Sequence, residues 1–256
     1  MKFDPNKIFV FFSPLILLAG TEYVLRNPRS FIAIFAAIIL LTSIMLLGII
    51  KPHLRQKEKL KNFILPILYI ISLGSFVALL RNEMIAHIFL VIASLIYGWM
   101  LFVINNMMTT SEGKQKEYYG KYFEIFILFT FFFFVSAIYS FRIFLDLPPW
   151  SIMLPLFLIS AALFYERLWI YDVMKREWWK EVVIIGFLIA EVGWVIMFWP
   201  ITNLAIAFTI LTVYFALSQI MAQSLTYTLN RAAIIRTLTI SLIAVIITIS
   251  TSQWTI

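Results

Sequence analysis

Long apolar stretches alternate with short polar ones along the whole of this 256-residue chain. A helix needs about 20 predominantly apolar residues to cross roughly 30 Å of hydrocarbon. Nine stretches approach that length: 8–25, 31–50, 62–80, 85–105, 123–143, 149–169, 182–199, 202–222 and 233–253. The pattern predicts an all-α polytopic bundle of about nine transmembrane helices. Gly20, Thr21 and Glu22 dilute the end of the first stretch, and only Trp199-Pro200 separates the seventh from the eighth, so eight crossings is the alternative. The stretch after Lys7 lacks a cleavage site and leads into further apolar segments, so it reads as a retained span.

The polar connections divide into two sets. The N-terminus, Lys51–Lys61, Asn105–Tyr122, Glu166–Glu181 and Ser224–Arg236 carry 2, 5, 3, 4 and 2 basic residues. Thr21–Ser30, Arg81–Met84, Arg142–Trp150, Trp199–Asn203 and the C-terminus carry 2, 1, 1, 0 and 0. This division of the 20 Lys and Arg, 16 to 4, predicts a cytoplasmic N-terminus and an external C-terminus. The membrane expected is the plasma (inner) membrane. No connection exceeds about 20 residues, so residues 1–256 read as one transmembrane domain without a soluble domain. Such short connections make successive helices antiparallel neighbours. Pro14, Pro66 and Pro155 each fall early in a span. Spans one to four and six to nine would run in opposite senses, as an inverted repeat requires. The match of Pro14-Leu15-Ile16-Leu17 to Pro155-Leu156-Phe157-Leu158 is of a kind that chance produces between apolar segments.

Composition strengthens the membrane reading. The chain is 62% hydrophobic and 13% charged, against roughly half and a quarter for soluble domains. Its net charge of +7 is spread over several short connections, which suits topology and anionic lipid rather than nucleic acid. With no cysteine there is no disulfide, thiolate metal site or cysteine nucleophile.

The richest stretch is Glu166–Pro200. Eight charged residues crowd into Glu166–Glu181 among Trp169, Tyr171, Trp178 and Trp179, which predicts a loop at the membrane surface. Val182–Phe198 is then apolar except for Glu191, near the middle of the hydrocarbon. An ionised carboxylate there is expensive, so Glu191 must be protonated, paired or in contact with water. Ser72, Ser94, Ser136, Ser160 and Thr212 fall near the same depth. Glu191 with Ser94, Ser160 and Thr212 is therefore the candidate substrate or proton site, packing glue between helices being the alternative. Thr212, Ala216, Gln219 and Gln223 form a small and polar stripe on the eighth span, of the kind that lets helices pack closely.

Lys51, Arg55, Lys57, Lys175 and Arg176 are candidate cytoplasmic contacts for a headgroup or partner, although topogenic charge is the simpler reading. Glu22, Arg26, Arg29, Arg81, Glu83, Arg142 and Asp146 form the opposite set, either interfacial anchors or the frame of a mouth, with His87 just inside the fourth span.

No span contains a lysine for a Schiff base, and the two histidines lie in different segments, so no metal, haem or other cofactor is expected. The chain has no HExxH, Walker or Asp-rich diphosphate motif. The role this favours is a structural or accessory subunit of a membrane assembly, whose partners are membrane lipids and other subunits or further copies of itself. A small transporter or lipid-handling protein built on Glu191 is the second reading. A lipid-modifying enzyme, using Glu191 or carboxylates such as Glu83 and Asp146, is the third.

Overall fold

A computed structural model of the protein describes residues 5–49, 56–80, 82–109, 113–170, 178–226 and 228–252. Nine α-helices lie among them: α1 (Pro5–Arg26), α2 (Phe31–Ile49), α3 (Gln56–Val77), α4 (Glu83–Thr109), α5 (Gly113–Phe144), α6 (Met153–Ile170), α7 (Trp179–Ile196), α8 (Asn203–Leu225) and α9 (Arg231–Thr251). Short 3-10 turns, Pro28–Ser30 and Pro149–Ile152, precede α2 and α6. No strand occurs among the described residues. Five helices, α4, α5, α6, α8 and α9, are long and apolar enough to cross a membrane, which fits a membrane-embedded protein.

Several segments expected to be loops are helical. The run Gln56–Lys61 opens α3, and the supposed loop Asn105–Tyr122 is helical up to Thr109 and again from Gly113. These stretches are rich in Gln, Glu and Lys, which favour helix as much as leucine does, so the helices continue past their apolar cores. Glu166–Trp169 belongs to α6 rather than to a surface loop. Because α1 and α3 start earlier than hydropathy suggests, Pro14 and Pro66 lie in helix interiors, while Pro155 stays in the first turn of α6.

Two compact units divide the chain, residues 1–130 and 131–256, with the boundary inside α5. In the first, α1 packs on α2 and α4, and α3 also packs on α2 and α4, closing a ring. Gly98 lets α4 approach Pro14 on α1, since a Cβ there would lie 2.7 Å from the proline Cγ. The Tyr69 hydroxyl donates to the Ala93 carbonyl at 2.8 Å, fastening α3 to α4, and its ring stacks on Tyr97.

In the second unit α6, α7, α8 and α9 pack in chain order, with α9 against α8. The neighbour pattern thus differs from the ring of the first unit and gives no support to an inverted repeat. α6 and α7 meet along Gly186, Ala190 and Gly193, all buried. A Cβ on Gly186 would sit 2.9 Å from the Phe157 ring and 3.1 Å from its carbonyl oxygen, so any larger residue forces its neighbours to shift where the two backbones approach. The Tyr139 hydroxyl of α5 donates to the Gly193 carbonyl at 2.5 Å.

Local signals place the helix ends. α5 ends in a Schellman motif: Asp146 is left-handed (φ 49°), and the N–H groups of Leu147 and Asp146 donate to the Arg142 and Ile143 carbonyls. Pro148 and Pro149 follow, where a helix cannot continue. Thr202 and Asn230 cap α8 and α9 by accepting from the Ala205 and Ala233 N–H groups.

Candidate functional site

α7 has two distinct faces. Ile185, Gly186, Ile189, Ala190, Gly193 and Ile196 are buried against the bundle. On the other side Ile184, Phe187, Glu191, Trp194, Val195 and Phe198 are exposed, at steps of three and four residues that keep them on one stripe. Trp194 and Phe198 meet edge to face, with centroids 6.1 Å apart. Trp179 and Trp199 stand exposed at either end of this helix and its following turn. At about 1.5 Å per residue the 18 residues of α7 run about 27 Å, and α7 is not among the five helices long and apolar enough to cross a membrane.

Glu191 is therefore an exposed carboxylate in an otherwise apolar, aromatic face. Among the described residues it makes no hydrogen bond or ion pair. The hydroxyls expected at its depth are occupied differently. Ser160 donates to the Leu156 and Phe157 carbonyls of its own helix, and Thr212 to Phe208 at 2.8 Å. Ser72 likewise bonds back to Leu68 at 2.6 Å. Ser94 is buried in the first unit and its hydroxyl has no partner among the described residues. The expected common depth does not bring these groups to Glu191: Ser160 and Thr212 are buried while Glu191 is exposed.

The site that hydropathy concealed is at the end of α6. Arg167 is 3% exposed, and its guanidinium donates to the Ser218 hydroxyl at 2.7 Å and to the Gln219 side-chain oxygen. Both acceptors are on α8, so one buried cation ties the parallel ends of α6 and α8 together. Glu166 is fully buried as well. These residues were expected in water, in the loop Glu166–Glu181. The buried surroundings are viable for the guanidinium because its fork finds acceptors on α8. Gln219, part of the polar stripe on α8, was the visible half of this contact.

Of the candidate cytoplasmic contacts, Lys51, Arg55, Lys175 and Arg176 lie outside the described residues, as does the side chain of Lys57. In the opposite set, Glu22 and His87 Nδ1 are joined by a hydrogen bond of 2.8 Å. No group of three or more potential metal ligands occurs among the described residues.

No curated protein and no solved structure matches the chain. Residues 13–251, nearly the whole sequence, match a family described as a protein of unknown function, DUF5656, and the chain belongs to that family.

Proposed function

We propose that the protein is an accessory or structural subunit of a membrane assembly, and that it receives a partner's transmembrane helix on the outward face of α7, with Glu191 as the polar anchor. The supporting observation is the position of Glu191: exposed, within the apolar stretch of α7, flanked by Phe187 and Trp194, and without a partner among the described residues. A carboxylate facing acyl chains costs about 2.5–3.5 kcal/mol when charged, on insertion scales for comparable acidic groups. Protonating it leaves a polar group without hydrogen bonds in hydrocarbon. A neighbouring helix presenting a donor at the same depth removes both costs. The occupant with that chemistry is a different membrane protein carrying Asn, Gln, Lys or Arg among apolar residues. A second copy, meeting α7 to α7, would set carboxylate against carboxylate.

The chain crosses the membrane nine times in this reading, in the plasma (inner) membrane, with a cytoplasmic N-terminus and an external C-terminus. The basic segments around Lys51, Arg55, Lys57, Lys175 and Arg176 set that orientation and lie at the anionic headgroups. Ser94, Ser160 and Thr212 take no part in the partner contact. A transport or lipid-modifying role would draw Glu191 inward to a cavity or a second acid or base, and its outward direction favours docking instead.

The test is photo-crosslinking in native membranes from positions 187 and 194, with positions 242 and 246 on α9 as controls. The reading predicts one stoichiometric membrane protein captured from the α7 positions alone, whose linked helix carries a donor side chain, with capture reduced in Glu191→Leu. An adduct of two copies of this chain would overturn the heteromeric assignment, and lipid adducts alone would overturn docking.

A further inference from the structure

The first unit contains a cavity of about 710 Å³ at the end where α1 and α3 finish and α2 and α4 begin. Sites for small molecules are typically about 300–1,000 Å³. All four helices contribute to its lining. The floor is apolar and aromatic: Phe31 and Phe35 lie with centroids 4.7 Å apart, beside Val24 and Val77. Gly74 makes this floor possible, because a side chain there would overlap the Phe35 ring. Thr21, also in the wall, has its hydroxyl bonded to the Leu17 carbonyl at 2.7 Å, so it asks for no partner.

The rim differs. Arg26, in the last turn of α1, and Glu83, in the first turn of α4, both line the opening. Among the described residues neither makes an ion pair or side-chain hydrogen bond. His87 also lines it, held from α1 by Glu22. A cation and an anion that stay apart above a hollow aromatic floor match a ligand carrying both charges and an apolar portion. An anion alone would meet Glu83, and a cation alone would meet Arg26.

We propose that this cavity binds a zwitterionic amphiphile, its acidic group at Arg26, its ammonium at Glu83 and its apolar part over Phe31 and Phe35. Two sources share this chemistry: a zwitterionic phospholipid with a primary ammonium, and a free zwitterion such as an apolar amino acid. The inference is independent of the partner contact on α7.

The experiment is native mass spectrometry of the full-length protein in detergent with phosphatidylethanolamine or phosphatidylglycerol, paired with thermal-shift titrations of phosphoethanolamine and of phenylalanine. The expected result is at least one zwitterion bound, with about tenfold weaker binding in Arg26→Gln and in Glu83→Gln (about 1.4 kcal/mol each). Preference for phosphatidylethanolamine over phosphatidylglycerol, with no shift from the soluble compounds, assigns the lipid source. A saturable shift from a soluble zwitterion assigns the free one. Because both substituted side chains are exposed, the variants keep the helical content of the parent by circular dichroism. Equal retention of the two lipids with no shift from either soluble compound overturns the proposal. So does parental binding by both folded variants.

Discussion

Replacing Arg167 by Met removes a buried cation while keeping most of the side-chain volume. The charge-assisted hydrogen bonds lost include those to Ser218 at 2.7 Å and to Gln219. Such bonds contribute about 1.5–3 kcal/mol each in water-soluble proteins, but interhelical polar contacts in membranes average about 0.6 and reach about 1.7. The groups left behind temper the loss. Ser218 retains its bond to the Phe215 carbonyl at 3.2 Å, and half-buried Gln219 can turn toward the helix end. The expected destabilisation is about 2–3 kcal/mol, somewhat below the roughly 3.4 kcal/mol of two contacts at the upper membrane value. Arg167→Lys keeps the charge but loses the planar fork, and should cost about 1 kcal/mol. The assay is reversible unfolding in mixed detergent micelles followed by tryptophan fluorescence, with a double-mutant cycle against Gln219→Leu. A coupling energy near 1 kcal/mol is predicted for that pair. If both Arg167 variants stay within about 0.5 kcal/mol of the parent, the guanidinium does not join α6 to α8.

Three further perturbations follow from the packing. Gly186→Val drives a branched side chain toward the Phe157 ring and carbonyl, at 2.9 and 3.1 Å from its Cβ, and should destabilise by about 1–3 kcal/mol or more in the same unfolding assay. Gly193→Ala meets the flexible end of Leu156 and the Tyr139 hydroxyl at 3.1 Å but no backbone atom, so it should cost less than Gly186→Val, and the reverse order would contradict the close α6–α7 contact. Tyr139→Phe removes the hydroxyl that reaches the Gly193 carbonyl, yet that carbonyl still accepts from Met197 at 3.2 Å, so the loss should be about 0.5–1.5 kcal/mol.

Hydropathy located the helices because membrane spans need length and apolarity, both local properties. It misplaced their ends wherever helix-forming polar residues carry a helix beyond its apolar core, as at Gln56 and Gly113. Arg167 was assigned to water because its partners, Ser218 and Gln219, lie about fifty residues away on another helix. For Glu191 the apolar run around it was legible but the face it takes on α7 was not. A signal for direction was nevertheless present. Gly186, Ala190 and Gly193 recur at four and three residues, marking the face that packs closely, and Glu191 lies about 130° around the helix from them at 100° per residue. The hollow above Phe35 had no local signature, since it depends on Gly74 facing that ring from another helix.

The most direct test of the docking account compares the parent chain with Glu191→Leu in two readouts on the same membranes: stability of the purified protein and yield of the crosslink from position 187 to its partner. Losing one interhelical polar contact of about 0.6–1.7 kcal/mol weakens association about 3- to 20-fold. The account predicts that loss of crosslink together with unchanged or greater stability in micelles, because Glu191 makes no hydrogen bond or ion pair among the described residues. A destabilised protein, or a crosslink at full yield, would contradict it.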